Sequence, residues 1–252
     1  MNVVERPDGI SVCTSEIVEV AYSGKEVGNV DPRFGSLEDI TANRNKLLQA
    51  VGMGKYTVQV CQLKADFINL SNVATDDIEP EYPTDGMFID RPDVILGLNT
   101  ADCHGMVFYN AQAPDIVGLI HAGRQGIAGD IHLAALEHMT SAYAYGVPKE
   151  DVRIIFAPAI QKESYHFPQL PAEQLADPKW RTRIEHGSDG YHIDLLGRVV
   201  DDLTNEGIDT SQMEISPVDV SAADSSYFSH VRAVRTGEAE GRNGLIAKLR
   251  PQ

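Results

Sequence analysis

Apolar positions fall into short runs and amphipathic stretches that alternate along the whole chain. The first helical pattern is LEDITANRNKLLQAVG, residues 37–52, where Ile40, Leu47, Leu48 and Val51 share one face, as residues three, four or seven apart do on a helix. Glu38 and Asp39 occupy its first turn, where the helix dipole favours negative charge, and Gly52 ends it. YTVQVCQLKADFINL, residues 56–70, alternates with period two at Val58, Val60 and Leu63 and has a second arm over 67–70, so it predicts strand. The stretch 73–86, VATDDIEPEYPTDG, is acidic, carries two prolines and reads as a loop. Residues 86–103 predict a short strand, an Arg-Pro-Asp turn and an apolar run at 94–98, paired as a hairpin or lying as adjacent strands. Further strands are predicted at DIVGLIHAG (115–123), VRIIFAPAI (152–160) and GRNGLIAKL (241–249). Helices are predicted at 127–147, ending near Gly146 and Pro148, and at 191–208, with Leu195, Leu196, Val199, Val200 and Leu203 on one side and Gly207 as its cap.

Strands and helices mix along the chain with no internal repeat, no low-complexity tract and no linker-like shift. The expectation is a single α/β domain over residues 1–252, with mixed β-sheets flanked by helices. A hydrophobic fraction of 42% supports a sizeable core. No apolar run approaches the roughly 20 residues of a membrane span, and the start lacks the basic-then-apolar pattern of a secretory leader. Three cysteines, Cys13, Cys61 and Cys103, cannot all pair within the chain, which favours a reducing, cytoplasmic setting. The net charge of −16 argues against a nucleic-acid partner, which would need a basic footprint. A small anionic substrate requires local cations around its site.

Two polar clusters directly follow strand-like runs: Asn99-Thr100-Ala101-Asp102-Cys103-His104-Gly105 and His121-Ala122-Gly123-Arg124-Gln125-Gly126. Strand ends are where α/β sheets usually place ligands. Cys103 and His121 could act as metal ligands, thiolate being soft and imidazole borderline. They could equally form a pair in which the imidazole lowers the thiol's pKa, or be inert core residues. Cys13 lies near the N-terminus, and Cys61 sits among apolar neighbours on a predicted strand.

TADC followed by HAG-x-x-G resembles the YfiH or laccase-domain family, whose pattern is TADC…HAGWRG. DITANRNKLLQAVG is similar to the family's N-terminal "NR" helix, and PTDGMFIDRPDVILGLNTADC to its segment leading into TADC. FAPAIQKESYHF resembles "GPAIGPxxYEV", and the closing SSYFSHVRAVRTGEAEGRNGLIAKL resembles "FFSYRR…TGRxAxxI". The resemblance implies an enzyme acting on purine nucleosides, by phosphorolysis with phosphate or by adenosine deamination with water. An older family assignment is copper polyphenol oxidation. It also implies a metal, usually zinc, held by a strand histidine, the TADC cysteine and the HAG histidine. The last two carry over onto Cys103 and His121, with Asp102 beside them as a further catalytic candidate. Matching of motifs adds Arg44, Ser164, Tyr165 and Arg242 as substrate contacts.

Two departures bear on this. Lys64 stands where the family has its first metal-binding histidine; a three-residue shift of register puts Cys61 there instead and rebuilds a three-ligand site. A protonated lysine cannot ligate a cation, although it could stand in the metal's electrostatic place beside Cys103 or simply point to solvent. In the second motif Arg124 and Gln125 replace Trp and Arg, so phosphate binding depends on Arg124 turning inward. The competing readings are a metal-free thiol enzyme using Cys103 and His121, and a nucleoside-binding homologue that has lost catalysis. A multicopper centre is disfavoured, because the eight histidines form no H-x-H pair and none clusters around a cysteine in the required way.

Overall fold

The alternating apolar residues bury both faces of two stacked sheets. The structure, a computed structural model, describes residues 2–6, 8–52, 59–62, 70–72 and 84–250. The first sheet runs, in spatial order, β1 (Asn2–Glu5), β2 (Ile10–Thr14), β3 (Val18–Ser23), β15 (Asn243–Leu249), β7 (Val94–Thr100) and β4 (Gln59–Gln62). The second runs β14 (Met213–Ile215), β10 (Val152–Phe156), β8 (His104–Asn110), β9 (Val117–Ala122), β6 (Gly86–Ile89) and β5 (Leu70–Asn72). A small third sheet consists of β11 (His166–Phe167), β13 (Gly190–Ile193) and β12 (Ile184–Gly187). The helices among the described residues are α1 (Leu37–Ala50), α2 (Arg124–Ala128), α3 (Ile131–Thr140), α4 (Ala172–Ala176), α5 (Leu195–Asn205) and α6 (His230–Thr236). None is long and apolar enough to cross a membrane.

Three apolar layers result, and together they make the mixed α/β architecture expected from the sequence. Val20, Leu98 and Leu245 of the first sheet meet Met87, Val107, Leu119 and Ile155 of the second. The outer face of the second sheet, with Met106, Phe108 and Ile120, packs on Ile131 and Leu136 of α3 and on Leu195 and Val199 of α5. The outer face of the first sheet, with Ala21, Ile95 and Ile246, packs on Leu47 of α1. Each fully buried Leu, Ile or Phe contributes roughly 1.5–3 kcal/mol. α1 starts where Ser36 accepts a hydrogen bond from the Asp39 backbone, and its apolar face is the predicted one, with Ile40 and Leu47 buried.

Several boundaries differ from the sequence expectation. The predicted helix 127–147 is two helices, α2 and α3, broken at Gly129 and at Asp130, which adopts a left-handed backbone (φ 61°). It ends at Thr140 rather than near Gly146. The Asp130 break follows from tertiary contacts, because its carboxylate binds the buried Arg198 at 2.7 Å and Lys179 at 2.9 Å. The predicted helix 191–208 begins only at Leu195, with Asp194 capping the Gly197 N–H at 2.7 Å. Tyr191 and His192 lie instead on β13, paired with β11 and β12. Residues 86–89 and 94–100 are neither a hairpin nor adjacent strands: β6 lies in the second sheet and β7 in the first. Of the predicted strand 56–70, β4 and the first residue of β5 are described, and the remainder lies outside the described residues.

Candidate active site

The crossover between the sheets creates the site. β7 ends at Thr100 in the first sheet, and β8 begins at His104 in the second, so Ala101, Asp102 and Cys103 bridge them. Asp102 takes a positive φ of 85°, a conformation that costs a non-glycine residue of order 1–3 kcal/mol unless its surroundings hold it. Here they do. Its carboxylate accepts hydrogen bonds from Ser229 Oγ (2.5 Å) and the Val231 N–H (2.8 Å), and its carbonyl accepts one from the Ile160 N–H (2.9 Å). Burial raises the Asp102 pKa above the ordinary carboxylate value, against the pull of those hydrogen bonds. Asp102 thus anchors the turn through Ser229 and α6 and presents the adjacent Cys103.

The pairing of β8 with β9 sets Gly105 opposite His121. The pairing of β9 with β6 brings Asp85, the residue just before β6, alongside. The His121 N–H donates to the Asp85 carbonyl (2.6 Å), and His121 Nδ1 lies 3.2 Å from Asp85 Oδ1, a carboxylate with only 1% of its side chain exposed. The other edge of the ring faces Cys103. A methyl group at Gly123 would sit 3.1 Å from Cys103 Sγ and 3.8 Å from His121 Nε2, so a side chain there would crowd the thiol, and the same glycine shows that thiol and ring lie side by side. Burial pulls the His121 pKa down. The charge of Cys103 and hydrogen bonds to Asp85 and Cys103 outweigh it and push the value up to about 10. The result is a chain of contacts, Cys103–His121–Asp85, in which the imidazole holds its proton more tightly than a free histidine.

Arg124 and Tyr165 join this relay. Arg124 opens α2 and donates to Gln174 Oε1 at 3.0 Å. The Tyr165 phenol is pushed up to about 12, chiefly by burial. Arg124, to which it hydrogen-bonds, opposes the rise and Cys103 adds to it. Cys103, His121, Arg124 and Tyr165 therefore converge. Ser164 turns elsewhere: its hydroxyl donates to Asp219 Oδ2 (2.5 Å), which fastens the 160–165 loop to the 217–221 segment. Arg44 donates to the Val30 carbonyl (2.9 Å), and Arg242 stacks over Phe34 at 4.4 Å. Both hold the 29–34 segment, and the charge of Arg242 also reaches Asp102. Cys61 on β4 is paired with Leu96, four residues before Thr100, about 13 Å short of the strand end that leads to Cys103. Its side chain and the whole of Lys64 lie outside the described residues. His104 is buried and pairs with Ala122, so it faces the helical layer rather than Cys103. Burial lowers its pKa to about 4 and keeps it neutral.

Asp85 and Gln174 were not singled out in the sequence. The signal for Asp85, an acid immediately before a strand, acquires meaning only once that strand is known to pair with the one carrying His121. The cysteines also separate. Cys13 is buried beside Glu214, and burial followed by that carboxylate's charge pushes its pKa up to about 12. At pH 8 its thiolate fraction is then about 10⁻⁴. Iodoacetamide labelling with peptide mapping is expected to leave Cys13 unmodified for hours after Cys103 has reacted; equal labelling of the two would contradict this placement.

The fold and this site define a mixed α/β protein with a thiol–imidazole–carboxylate cluster at the crossover of two stacked sheets. The family model described as multi-copper polyphenol oxidoreductase laccase matches residues 26–247, and the chain belongs to that family. The chain is 31% identical over 205 residues to a protein of Mycobacterium tuberculosis named purine nucleoside phosphorylase, covering 79% of this chain and 76% of that one. A Deinococcus radiodurans protein of the same name is 25% identical over 174 residues, covering 67% and 64%. The solved structure of YlmD from Geobacillus stearothermophilus superposes with a TM-score of 0.84 at 21% identity over 99% of each chain. YfiH from Bacillus licheniformis gives 0.78 at 21% identity over 98% and 99%. These two likenesses establish the shared fold.

Proposed function

We propose that the protein cleaves purine nucleosides with phosphate at the Cys103–His121 pocket, releasing the purine base and ribose 1-phosphate. The observation that carries this reading is the placement of His121 between the buried Asp85 carboxylate and Cys103, with the Arg124 guanidinium beside them. The names of the relatives agree with it. A phosphate oxygen attacks C1′ and the bond from C1′ to the purine nitrogen breaks. The electron pair leaves with the base, which takes up a proton from the His121 imidazolium. Arg124 offers the charge-assisted donors that hold phosphate, and Tyr165 closes the apolar side of the pocket. Adenosine deamination, in which water displaces the 6-amino group as ammonia, is the second reaction the same proton donor would serve.

In place of that second proton on His121, the donors suit one ion of the zinc class. Cys103 supplies a soft sulfur and His121 a borderline nitrogen, and Asp85 on the far ring nitrogen is the outer partner that metal-bound histidines usually have. A zinc ion there would act as a Lewis acid on a substrate or phosphate oxygen. Several coppers do not suit the residues. Among the described histidines only His121 adjoins Cys103; His104 faces away, and His132 is bound to Asp202 at 2.9 Å.

The test is chromatographic assay of adenosine, inosine and guanosine with and without phosphate, alongside metal analysis. Base release that requires phosphate supports the proposal, whereas inosine formed from adenosine without phosphate identifies a deaminase. Loss of rate on chelation assigns the metal-assisted form. Loss on alkylation of metal-free protein assigns the thiol form, and nucleoside binding without turnover would overturn the enzymatic reading.

A further inference from the structure

A second group of ligating side chains lies on the small third sheet, apart from the pocket. His166 on β11 and His192 on β13 are direct cross-strand partners, with ring centroids 5.1 Å apart. Asp189, in the turn joining β12 to β13, places one carboxylate oxygen 2.6 Å from His166 Nδ1 and the other 2.8 Å from His192 Nε2. One donor atom from each residue lies within 4.8 Å of the others. The turn itself leaves room: Gly187 has no Cβ, and one placed there would meet Asp189 Oδ1 at 3.0 Å and His192 Nε2 at 3.2 Å.

The hydrogen bonds of His192 are what point to a cation. Its Nδ1 lies 3.2 Å from the Lys162 carbonyl, which only accepts, so Nδ1 carries the proton. In neutral imidazole Nε2 then presents a lone pair, and it faces a carboxylate that also only accepts. Either the ring holds two protons or a positive ion sits between the lone pair and the carboxylate. The carbonyl on Nδ1 is also the outer contact that fixes the tautomer and orientation of a metal-bound histidine.

We propose that His166 Nδ1, His192 Nε2 and the Asp189 carboxylate form a binding site for one divalent transition-metal ion of the zinc class, separate from the Cys103–His121 pair. Two imidazoles and one carboxylate select such ions over magnesium or calcium, which prefer all-oxygen sets. Side-chain exposures of 25%, 18% and 50% leave the group open to entry from solvent and to water as a further ligand. Metal–ligand bonds of about 2.0–2.2 Å would be reached with the three donors spread slightly wider than now. Of the neighbouring cations, Lys162 is engaged with Glu185 at 2.9 Å and Arg235 with the Ser164 and His166 carbonyls. The other such cluster, Asp130, His132 and Asp202, differs in this respect: the Arg198 guanidinium already lies between its carboxylates. An ion on the hairpin would tie β11 to the β12–β13 turn and steady Tyr165, the residue that precedes His166 and reaches Arg124.

The experiment is calorimetric titration of untagged, chelator-stripped full-length protein with zinc chloride, in the wild type and in Cys103→Ala, His192→Ala and Asp189→Asn. One equivalent is expected to persist in Cys103→Ala. In His192→Ala it should weaken more than about 100-fold, beyond the loss typical of removing only an outer-shell partner. Asp189→Asn keeps the shape of the turn and should also weaken it. Cobalt added to Cys103→Ala should give visible bands without sulfur charge transfer. Should either hairpin variant fail to fold, nickel added to the wild type is expected to broaden the His166 and His192 imidazole NMR signals first. Absence of the equivalent in Cys103→Ala, unchanged affinity in the hairpin variants, or broadening that spares both histidines would overturn the site and leave a plain ion pair.

Discussion

Replacing Cys103 with serine is expected to lower kcat/KM for phosphorolysis by about 10²- to 10⁴-fold, the range associated with losing a positioned acid–base group. The melting temperature should move little. Serine fits the space beside Gly123, but its neutral hydroxyl removes the charge that Cys103 contributes to His121. The His121 pKa then falls and the imidazolium is no longer assured at neutral pH. The pH profile separates this account from a packing effect. His121 has its pKa raised to about 10, so the protonated form persists through neutrality and is lost as pH rises through that value. Activity that depends on it should decline on the alkaline side, and Asp85→Asn should shift that decline to lower pH. A Cys103→Ser protein retaining more than a tenth of wild-type kcat/KM would remove Cys103 from the chemistry.

Arg198→Met is expected to be the most destabilising single change, by about 3–5 kcal/mol, the range measured when one partner of a buried ion group is removed. In a chain of this size that corresponds to a fall in melting temperature of roughly 6–20 °C. Arg198 is 1% exposed and binds Asp130 at 2.7 Å, Asp177 at 3.1 Å and Asp202 at 2.5 Å, with its guanidinium 5.1 Å over the Trp180 ring. Methionine would fill much of the volume yet leave three carboxylates around it without their shared cation. The loss should reach the pocket as well, because Asp130 sets the break between α2 and α3 and α2 carries Arg124. Thermal unfolding followed by circular dichroism measures the effect, and a decrease below about 1 kcal/mol would show the network to be dispensable.

The segments legible in the sequence share one property: their apolar pattern is local and uninterrupted. α1 shows its buried face in Ile40 and Leu47, and β15 and β10 show continuous apolar runs because both of their faces are covered. Residues 191–193 read as helix because Tyr191 and Ile193 extend the periodicity of α5. Their strand pairing with β11 and β12 outweighed that local preference, and Asp194 supplied the cap that separates the two elements. Residues 127–147 read as one helix because their composition favours it, and nothing nearby in the sequence signals that Arg198, 68 residues beyond Asp130, would hold the chain in a left-handed turn.

For the site, the sequence by itself determined that Cys103 stands just past the run that becomes β7, since the end of an apolar run marks where a strand leaves the sheet; His121, expected just past its own run, lies inside β9. It also marked Tyr165 through its motif and Arg124 as a departure from one. The tertiary structure decided the rest. That Cys103 meets His121 depends on β7 and β8 lying in different sheets, with β8 pairing β9 in the register that sets Gly105 against His121. That His121 has a buried carboxylate behind it depends on β6 pairing β9, which brings Asp85 across 36 residues. That Ser164 serves a loop and Asp102 a turn depends on Asp219, Ser229 and Val231, all distant in the chain. Periodicity records which residues are buried. Strand order and register are collective choices of the packed sheets, so only the fold reveals which buried residues touch.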